Sequence, residues 1–191
     1  MSELSTERRP RADAERNRAR VIEAARTLFG ERGDEVQMPE IARAAGVGVG
    51  TVYRHFPDRQ ALVEAAAEHR FAEIERYART RCLGGDSGLA RYLRYVGRML
   101  SRDRGLSSAI ETSRGSTGSE PRGEARARLE TVVAQVIARD IEAGTLRPDC
   151  TVGDVYLIVG CLSSVVRTGS GDWRRFLDLA LDGLRPRQIP R

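Results

Sequence analysis

Apolar residues recur every three to four positions along nearly the whole chain, which is the spacing of one face of an α-helix. No segment alternates apolar and polar residues over a length that would predict a strand. The first apolar stripe predicts a helix over about residues 13–31, and glycines at positions 30 and 33 mark its end. Further stripes lie at residues 62–77, 89–100, 106–110, 129–141, 155–162 and 173–184. A Gly- and Ser-rich segment at 114–123 predicts a mobile loop.

Residues 36–56 have the spacing of a helix-turn-helix. Ile41 and Ala42 lie on the inner face of a short first helix, and Gly46 follows where the turn needs a residue that tolerates positive φ. Val52 falls six residues after Gly46 and is expected to pack back onto the first helix. The two helices then cross at a steep angle and leave the outer face of the second one free for a DNA major groove. With the other stripes, these two helices predict an all-α fold of about nine helices.

Local signals set the ends of these helices. Gln37 stands where a Ser or Thr cap is expected, so the first helix of the motif lacks the usual cap. The recognition helix is predicted at Val49–His55, because Pro57 disfavours helical angles in the residue before it. Asp58 is predicted to cap the next helix, which runs to about Arg81 and leaves the DNA-binding unit.

The last two helices suggest a partner subunit. Residues 151 and 154 resemble a capping box, and residues 155–162 beyond them are apolar on nearly every face. A helix that is hydrophobic all round must be covered all round, and a second copy of the chain is the simplest cover. Gly160, Ser163 and Ser164 would allow close helix approach. The alternative is that this helix is the buried centre of its own domain.

The positive charge is concentrated ahead of the helix-turn-helix. The net charge of the 191 residues is +5, and every basic side chain is an arginine. Residues 8–20 hold six arginines and two carboxylates, a net charge of +4. A basic arm at this place suits phosphate contact. For Arg8–Arg11, a solvated disordered tail is an equally good interpretation.

Composition and cysteine usage indicate a cytoplasmic protein. Apolar residues make up 40% and charged residues 31% of the chain, and its mean hydropathy is negative. The N-terminus has no apolar core of the signal-peptide kind, and the longest apolar run is too short for a bilayer, so no membrane partner is expected. The three cysteines are expected to be reduced, with Cys161 in the core, while a redox role for Cys82 or Cys150 stays open. No metal site and no cofactor is predicted.

The residues from Arg20 to Glu64 resemble the TetR (tetracycline-repressor) family of bacterial transcriptional regulators. The matching residues are A-A-R-T-L-F-G-E-R-G in the first helix and I-A-R-A-A-G-V-G-V-G-T-V-Y-R-H-F-P-D-R-Q-A-L across the motif. Few unrelated sequences would share the run G-V-x-x-G-T-x-Y-x-H-F followed by a polar helix start. Beyond the first third of the chain the resemblance is architectural. It implies that the last two helices form a dimeric four-helix bundle and that a ligand pocket lies among the middle helices.

This organisation predicts four segments. They are a flexible basic arm at 1–12, a helix-turn-helix domain at 13–57, a ligand-binding and dimerisation domain at 58–185, and a tail at 186–191.

The resemblance implies DNA contacts for nine residues. They are Gln37, Arg43, Gly48, Val49, Gly50, Thr51, Tyr53, Arg54 and His55. Thr51, Tyr53 and His55 are implied to contact phosphates, and Gly50 lets the backbone come near the DNA. Phosphate contacts of this kind fix the register of a protein on DNA without reading its sequence. The alternatives are that Tyr53 is a structural link to the first helix and that His55 caps nearby carbonyls.

Two positions where the family varies are candidates for reading bases. Arg54 has the donors for a bidentate contact with guanine, and Val49 has an apolar side chain suited to a thymine methyl group. Gln37 and Arg43 are implied to touch the backbone or a base.

The residues of the ligand pocket are predicted from weaker signals than the DNA-binding residues. Seven residues of the middle helices are candidates to line a cavity: Tyr92, Tyr95, Met99, Ser107, Ile110, Glu111 and Arg114. The alternative for the aromatic and apolar members is plain core packing. Glu111, if it faces inward, needs a partner, and Arg91, Arg94 or a cationic ligand are the candidates.

The sequence predicts a homodimeric transcriptional regulator, a repressor that binds a palindromic double-stranded DNA operator. An unidentified small, largely apolar inducer would bind one of two conformers preferentially and so release the DNA, with the fourth helix as the lever. The chain has no nucleophile elbow, phosphate loop or metal-ligand cluster, so an enzyme is not predicted and no catalytic residue is assigned. The rival hypotheses are a helical scaffold for protein partners and a small helical enzyme.

Overall fold

The computed structural model describes residues 8–116 and 118–186, with side chains from residue 12 onward. Within these residues the chain forms nine α-helices and no strand, which confirms the all-α prediction. The helices are α1 (Arg8–Arg32), α2 (Met38–Ala45), α3 (Val49–His55), α4 (Arg59–Tyr77), α5 (Gly88–Arg102), α6 (Arg104–Arg114), α7 (Gly123–Glu142), α8 (Val152–Thr168) and α9 (Trp173–Gly183). A 3₁₀ turn follows α1, and a π-helical turn extends α4 over Ala78–Cys82. None of the helices in the described parts of the chain is long and apolar enough to span a membrane.

The first helix begins earlier than the apolar pattern predicts. α1 starts at Arg8, so residues 8–12, predicted as part of a flexible arm, are helical, whereas residues 1–7 lie outside the described part of the chain. Arg and Ala are good helix formers, and Pro10 lies in the first turn, where its missing N–H breaks no hydrogen bond. This turn of α1 has no apolar stripe, which is why the pattern could not mark its start.

The predicted caps are confirmed. The Asp58 carboxylate accepts from the Ala61 N–H at 2.8 Å at the start of α4. Thr151 and Asp154 form a reciprocal capping box on α8: the Thr151 N–H donates to the Asp154 carboxylate at 2.8 Å, and the Asp154 N–H donates to the Thr151 hydroxyl at 3.3 Å. Each such cap satisfies a backbone donor that the first helical turn leaves free.

The start of α5 is capped from another helix. Asp140 of α7 is 3% exposed, and its carboxylate accepts from the backbone N–H groups of Gly88 at 2.9 Å and Leu89 at 2.8 Å. A negative charge at a helix N-terminus is favoured by the helix dipole. This contact fixes α5 against α7 and thereby sets one wall of the middle of the molecule.

The DNA-binding unit and the rest of the chain share one apolar core. It runs from Val21 on α1 to Leu184 after α9, and α1 packs against α2, α4 and α6. At the contact between α1 and α6 the backbones touch, because a Cβ on Gly105 would lie 2.3 Å from the carbonyl oxygen of Phe29. Only glycine fits this position without a shift of one helix.

A buried ion cluster crosses the same contact. Arg26 of α1 is 6% exposed and lies 2.5 Å from the Glu73 carboxylate of α4 and 3.3 Å from the Asp103 carboxylate between α5 and α6. Burial alone lowers the pKa of Arg26, but the two carboxylates outweigh it and raise the pKa above its ordinary value. The cluster therefore joins α1 to α4 and to the junction of α5 and α6.

The cysteine prediction is wrong in one respect. Cys161 is exposed on α8, whereas Cys82 and Cys150 are buried. Burial raises the pKa of the Cys82 thiol to about 11 and also raises that of Cys150. A thiol with a raised pKa has little reactive thiolate at neutral pH, which argues against a redox role for either buried cysteine.

Candidate nucleic-acid interface and ligand cavity

The turn of the helix-turn-helix is built on Gly46. This residue has φ of 64° and ends α2 in the left-handed conformation. Its N–H donates to the Arg43 carbonyl at 3.1 Å, and the Val47 N–H donates to the Ala42 carbonyl at 3.0 Å. The pair of bonds closes the helix end and sends the chain into α3, as the spacing of the sequence predicts.

At the other end of α2 the missing cap is replaced. Gln37 is the residue before α2, and its N–H donates to the Glu40 carboxylate at 2.9 Å. Glu40 also forms an ion pair with Arg32 of α1 at 2.7 Å. The Arg32 side chain and the Gln37 N–H both lower the pKa of Glu40. The carboxylate therefore joins α2 to the end of α1.

The inner face of α3 is fixed by packing. Val52 is completely buried in the same core as Ile41 and Ala42, as predicted, and Phe56 is 2% exposed. The guanidinium of Arg18 lies 5.6 Å from the centroid of the Phe56 ring. These contacts hold a helix whose two glycines would otherwise weaken it by roughly 1 kcal/mol each.

Six of the nine predicted DNA-binding residues lie on α3, while Gly48, Arg43 and Gln37 come before it in the chain. Seven of the nine are exposed and two, Thr51 and His55, are half-buried; the exposed ones are Gln37, Arg43, Gly48, Val49, Gly50, Tyr53 and Arg54. Tyr53 is 47% and Val49 39% exposed. Within the described residues the side chains of Tyr53 and Arg54 form no hydrogen bond or ion pair, so both are free to bind another molecule.

The charge around this face is positive. α3 contains no acidic residue and carries Arg54 and His55 in its last turn. Arg20 of α1 reaches the turn, since a Cβ on Gly46 would lie 3.8 Å from its guanidinium. Arg16 is partly neutralised by an ion pair with Asp13. The side chains of Arg8–Arg11, the arginines of the predicted arm, lie outside the described residues.

A cavity of about 440 Å³ lies among α4, α5, α7 and α8 and is closed on one side by the end of α6 and the loop after it. Most of its wall is apolar, for example Phe71, Ile74, Val96, Met99, Leu129 and Val155. A few charged groups also line it: Arg70, Glu111, Glu120, Arg126 and Arg167. An apolar pocket of this size with a few polar groups is typical of a small-molecule site.

The α8–α9 surface is apolar and open in the single chain. Leu157 is 67% and Leu179 53% exposed. α8 was predicted to be apolar on nearly every face, and only Val155, Leu162 and Val166 of this helix are buried. Cys161, expected in the core, lies on the uncovered part of α8 together with Gly160.

Comparison with known proteins decides the family. The N-terminal profile of "Bacterial regulatory proteins, tetR family" matches residues 21–66, and the profile "Transcriptional regulator SbtR-like, C-terminal domain" matches residues 85–186, more than half of the chain. This chain belongs to the TetR family. It is therefore a DNA-binding transcriptional regulator whose helix-turn-helix is the segment at α2 and α3.

Solved structures of TetR proteins agree over nearly the full length. A TetR transcription regulatory protein from Mycobacterium vanbaalenii is 38% identical, with 92% of this chain and 98% of that chain covered and a TM-score of 0.67. A TetR transcriptional regulator from Streptomyces coelicolor is 30% identical, with 90% and 99% covered and a TM-score of 0.66. RolR, solved in complex with the ligand resorcinol, is 25% identical, with 92% and 91% covered and a TM-score of 0.60.

A curated relative matches over a short stretch of the chain. An HTH-type transcriptional regulator of Staphylococcus aureus strain USA300 is 49% identical over 53 residues, which are 27% of this chain and 29% of that protein. The chain spans less than a third of the length of this relative, so the match carries no conclusion about the whole protein.

Three of the seven predicted ligand residues line the cavity of this TetR protein. They are Tyr92, Met99 and Glu111. Tyr95 lies outside it: its ring stacks on Tyr77 at 3.7 Å between centroids, and its hydroxyl donates to Glu73 at 3.1 Å. Tyr95 therefore belongs to the packing between α4 and α5.

The other three predicted residues also lie behind the cavity wall. Ile110 is completely buried in the core. Ser107 accepts a hydrogen bond from Arg70 at 3.0 Å. Arg114 forms a bidentate pair with Glu64 of α4, with both distances at 2.8 Å. They support the wall without facing the space inside it.

The partner of Glu111 differs from the expected ones. Its carboxylate lies 3.4 Å from Arg167 of α8 and accepts from the Gly118 N–H at 3.1 Å. Arg91 instead donates to backbone carbonyls, and Arg94 lies 3.5 Å from Asp178 of α9. The reason is that the end of α6 packs against α8, whereas both expected arginines lie on α5.

The segment predicted as a mobile loop is held in place. Arg114 donates to the Glu120 carbonyl at 2.7 Å, and the Ser119 carbonyl accepts from Arg70 at 3.1 Å. Ser119 and Pro121 are buried. The Gly- and Ser-rich composition reflects tight backbone turns that carry part of the cavity wall.

Arg70 lines the cavity and was not predicted from the sequence. The helical spacing could have identified it as buried, because Arg70 lies one turn after Ala66 and one turn before Ile74 on the buried face of α4. An arginine at such a position needs a buried partner or a function. Arg126, Tyr156 and Arg167 were missed as well, since only the tertiary contacts of α7 and α8 bring them to the cavity.

Gly50 offers a test of the DNA-facing surface. A Cβ at this position would meet nothing within 4 Å, so packing in the free protein does not require glycine. We expect Gly50→Ala to leave the urea midpoint unchanged or higher, because alanine favours a helix by about 1 kcal/mol. We expect it to weaken binding to the DNA upstream of the gene by about tenfold in fluorescence anisotropy, since the methyl group would hold the backbone away from the phosphates.

The control is Gly84→Ala, which also adds a Cβ into open space but lies in the loop between α4 and α5. This variant should bind DNA like the parent. Equal DNA affinity for Gly50→Ala and the parent would show that the backbone at this position does not approach the DNA.

Proposed function

We propose that this TetR protein is a ligand-responsive repressor that binds a palindromic operator as a homodimer in the cytoplasm and is released by a small-molecule inducer. The observation that carries the proposal is the combination of a free, positively charged face on α3 with an apolar cavity connected to it through buried helices. DNA binding alone would need only the first of these.

The roles on the DNA follow from side-chain chemistry. Thr51, Tyr53 and His55 offer donors for phosphate oxygens, which position a protein without reading sequence. Arg54 is exposed and unpaired, and its planar guanidinium suits a bidentate contact with guanine. Val49 offers a methyl-sized apolar contact for thymine, and Gln37 and Arg43 flank it from the start and the end of α2.

The dimer is proposed through α8 and α9. Leu157 and Leu179 are large apolar side chains that water would surround in a single chain. A two-fold axis beside these helices would bring two copies of α3 to one face of the DNA. Binding to successive major grooves then requires the recognition helices to lie roughly 34–36 Å apart.

Two helices connect the cavity to the DNA-binding unit. α4 begins four residues after α3 ends and carries Arg70 and Phe71 in the cavity wall. α6 carries Glu111 in the wall and touches the end of α1 at Gly105. We therefore propose that α4, the helix predicted to transmit ligand binding to the DNA-binding unit, acts together with α6.

The inducer is proposed to bind the conformer whose recognition helices do not match the operator. A ligand shifts such an equilibrium only by its difference in affinity for the two conformers. The cavity of about 440 Å³ fits a small organic molecule. The resorcinol bound by RolR, a structural relative, supports a small and partly apolar inducer for this chain as well.

Substitutions on α3 test the operator-binding part of the proposal. We expect Tyr53→Ala to weaken binding to operator and to unrelated DNA alike, because it removes a phosphate contact. We expect Arg54→Ala to cost about 1–3 kcal/mol on the operator and to relax base preference at one position of each half-site. Anisotropy with a set of single-base operator variants measures both effects. The assignment of the recognition face would be falsified if both variants bound and discriminated like the parent.

The dimer surface is tested by charges on its exposed leucines. We expect the double variant Leu157→Asp, Leu179→Asp to run at the mass of one chain, 21.1 kDa, in size-exclusion chromatography with light scattering, while the parent runs at twice that mass. Both side chains are exposed in the single chain, so the variant should keep its helical circular-dichroism spectrum. Ala19→Asp, on the exposed side of α1, is the control and should remain dimeric. A monomeric parent at micromolar concentration contradicts the proposed dimer.

A further inference from the structure

Arg70 is a buried cation in the wall of the cavity. It is 1% exposed and is among the largest completely buried side chains of the molecule. It lies on α4 next to Phe71, and its guanidinium is 5.2 Å from the centroid of that ring. Long charged side chains are almost never buried to this degree unless an opposite charge accompanies them.

The hydrogen bonds of Arg70 do not neutralise its charge. One Nη donates to the Ser107 hydroxyl at 3.0 Å and the other to the Ser119 carbonyl at 3.1 Å, while the Nε–H is buried without a partner. The guanidinium has five N–H donors, and these two bonds use two of them. Within the described part of the chain no carboxylate lies within 4.0 Å of it, whereas the side chain of Arg26 has two such partners and that of Arg114 has one.

The surroundings make this charge costly. Burial lowers the pKa of Arg70 to about 10, with Arg26 and Arg114 adding repulsion and only Asp103 opposing them. Asp103 is shared between Arg26 and Arg102, at 3.3 Å and 2.9 Å. Arg70 therefore remains protonated at neutral pH but lacks a counter-charge of its own.

The other two arginines of the cavity, Arg126 and Arg167, each have a carboxylate partner. Glu111 lies beside Arg167 at 3.4 Å. Arg126 lies 2.7 Å from Glu130 and is also attracted by Glu120. Tyr92 lines the cavity as well, is buried, and its hydroxyl has no hydrogen-bond partner among the described residues. A ligand entering this space thus meets an uncompensated cation and a free hydroxyl within a mainly apolar wall.

We propose that the cavity binds a small organic carboxylate, whose anionic group pairs with the guanidinium of Arg70 and whose apolar body lies among the side chains of α4, α5 and α7. This inference rests on the proposed use of the cavity as the inducer site and names the chemical class of the inducer. The carboxylate supplies the counter-charge that the chain itself lacks. A neutral or cationic ligand of the same shape would leave Arg70 uncompensated.

The test compares probes of one shape and different charge on the purified full-length protein without DNA. Octanoate and 3-phenylpropanoate are titrated calorimetrically at pH 7.5 beside their amides, alcohols and amines. We expect each carboxylate to bind at least about tenfold more tightly than its amide or alcohol, the gain typical of a charge-assisted hydrogen bond in a buried site. The amines should bind more weakly than the neutral probes.

Variants assign the preference to one residue. Arg70→Met should reduce the carboxylate preference to less than about twofold, and Arg70→Lys, which keeps the charge, should retain part of it. Arg76→Met removes the same charge from an exposed position on the same helix and should behave like the parent. If Arg70→Met fails to fold, the affinities of the parent protein for carboxylates, amides, alcohols and amines still test the proposal.

The proposal is overturned if neither carboxylate binds, if the parent binds amides or alcohols as tightly as carboxylates, if amines bind most tightly, or if Arg70→Met keeps the preference. Release of the operator is measured separately by anisotropy. Carboxylates that bind through Arg70 without releasing DNA would contradict the inducer function alone. Neutral probes that bind and release DNA, where carboxylates do not, would contradict the carboxylate inference alone.

Discussion

The close contact between α1 and α6 is the constraint on which the rest of this structure depends. Gly105 allows the two backbones to touch. Beside this contact, Arg26 forms ion pairs with one carboxylate on α4 and one at the junction of α5 and α6. A well-packed interior is not continuously deformable, so a displacement of α6 has to be followed by α1 or to break this contact. The DNA-binding unit and the cavity are thus parts of one body rather than two domains on a flexible linker.

Local chemistry made the DNA-binding unit predictable from the sequence. Gly46 is placed where the turn needs positive φ, Pro57 ends the recognition helix, and Asp58 caps the next one, so three neighbouring signals agree on Val49–His55. Each of these effects acts within four residues of the position it fixes. The resemblance to the TetR family used the same residues, and for that reason it covered only this part of the chain closely.

The middle of the molecule was less predictable because its contacts join residues far apart in the chain. Glu111 meets Arg167 and not an arginine of α5, and Arg70 meets Ser107 and Ser119. Helical periodicity says which face is buried but not which helix covers it. Cys161 is a second example. Its apolar neighbours on α8 predicted that it would be buried, but its side chain is exposed in the single chain.

Charge and packing have complementary roles in the proposed response. In the proposed response the apolar wall would provide affinity for many small molecules, whereas the uncompensated Arg70 would select among them by charge. Arg70 also bonds to α6 through Ser107 and to the following loop through Ser119, so the group that would bind the ligand already contacts the helix that reaches α1. Recognition and transmission would then begin at the same side chain.

Reciprocal coupling between the cavity and the DNA is the most direct test of this account. The affinity of the tightest-binding carboxylate is measured for the free protein and for the protein saturated with its operator, and the affinity for the operator is measured with and without that carboxylate. The account predicts that operator weakens carboxylate binding, and that carboxylate weakens operator binding by the same factor. Equal carboxylate affinity for free and operator-bound protein would contradict it.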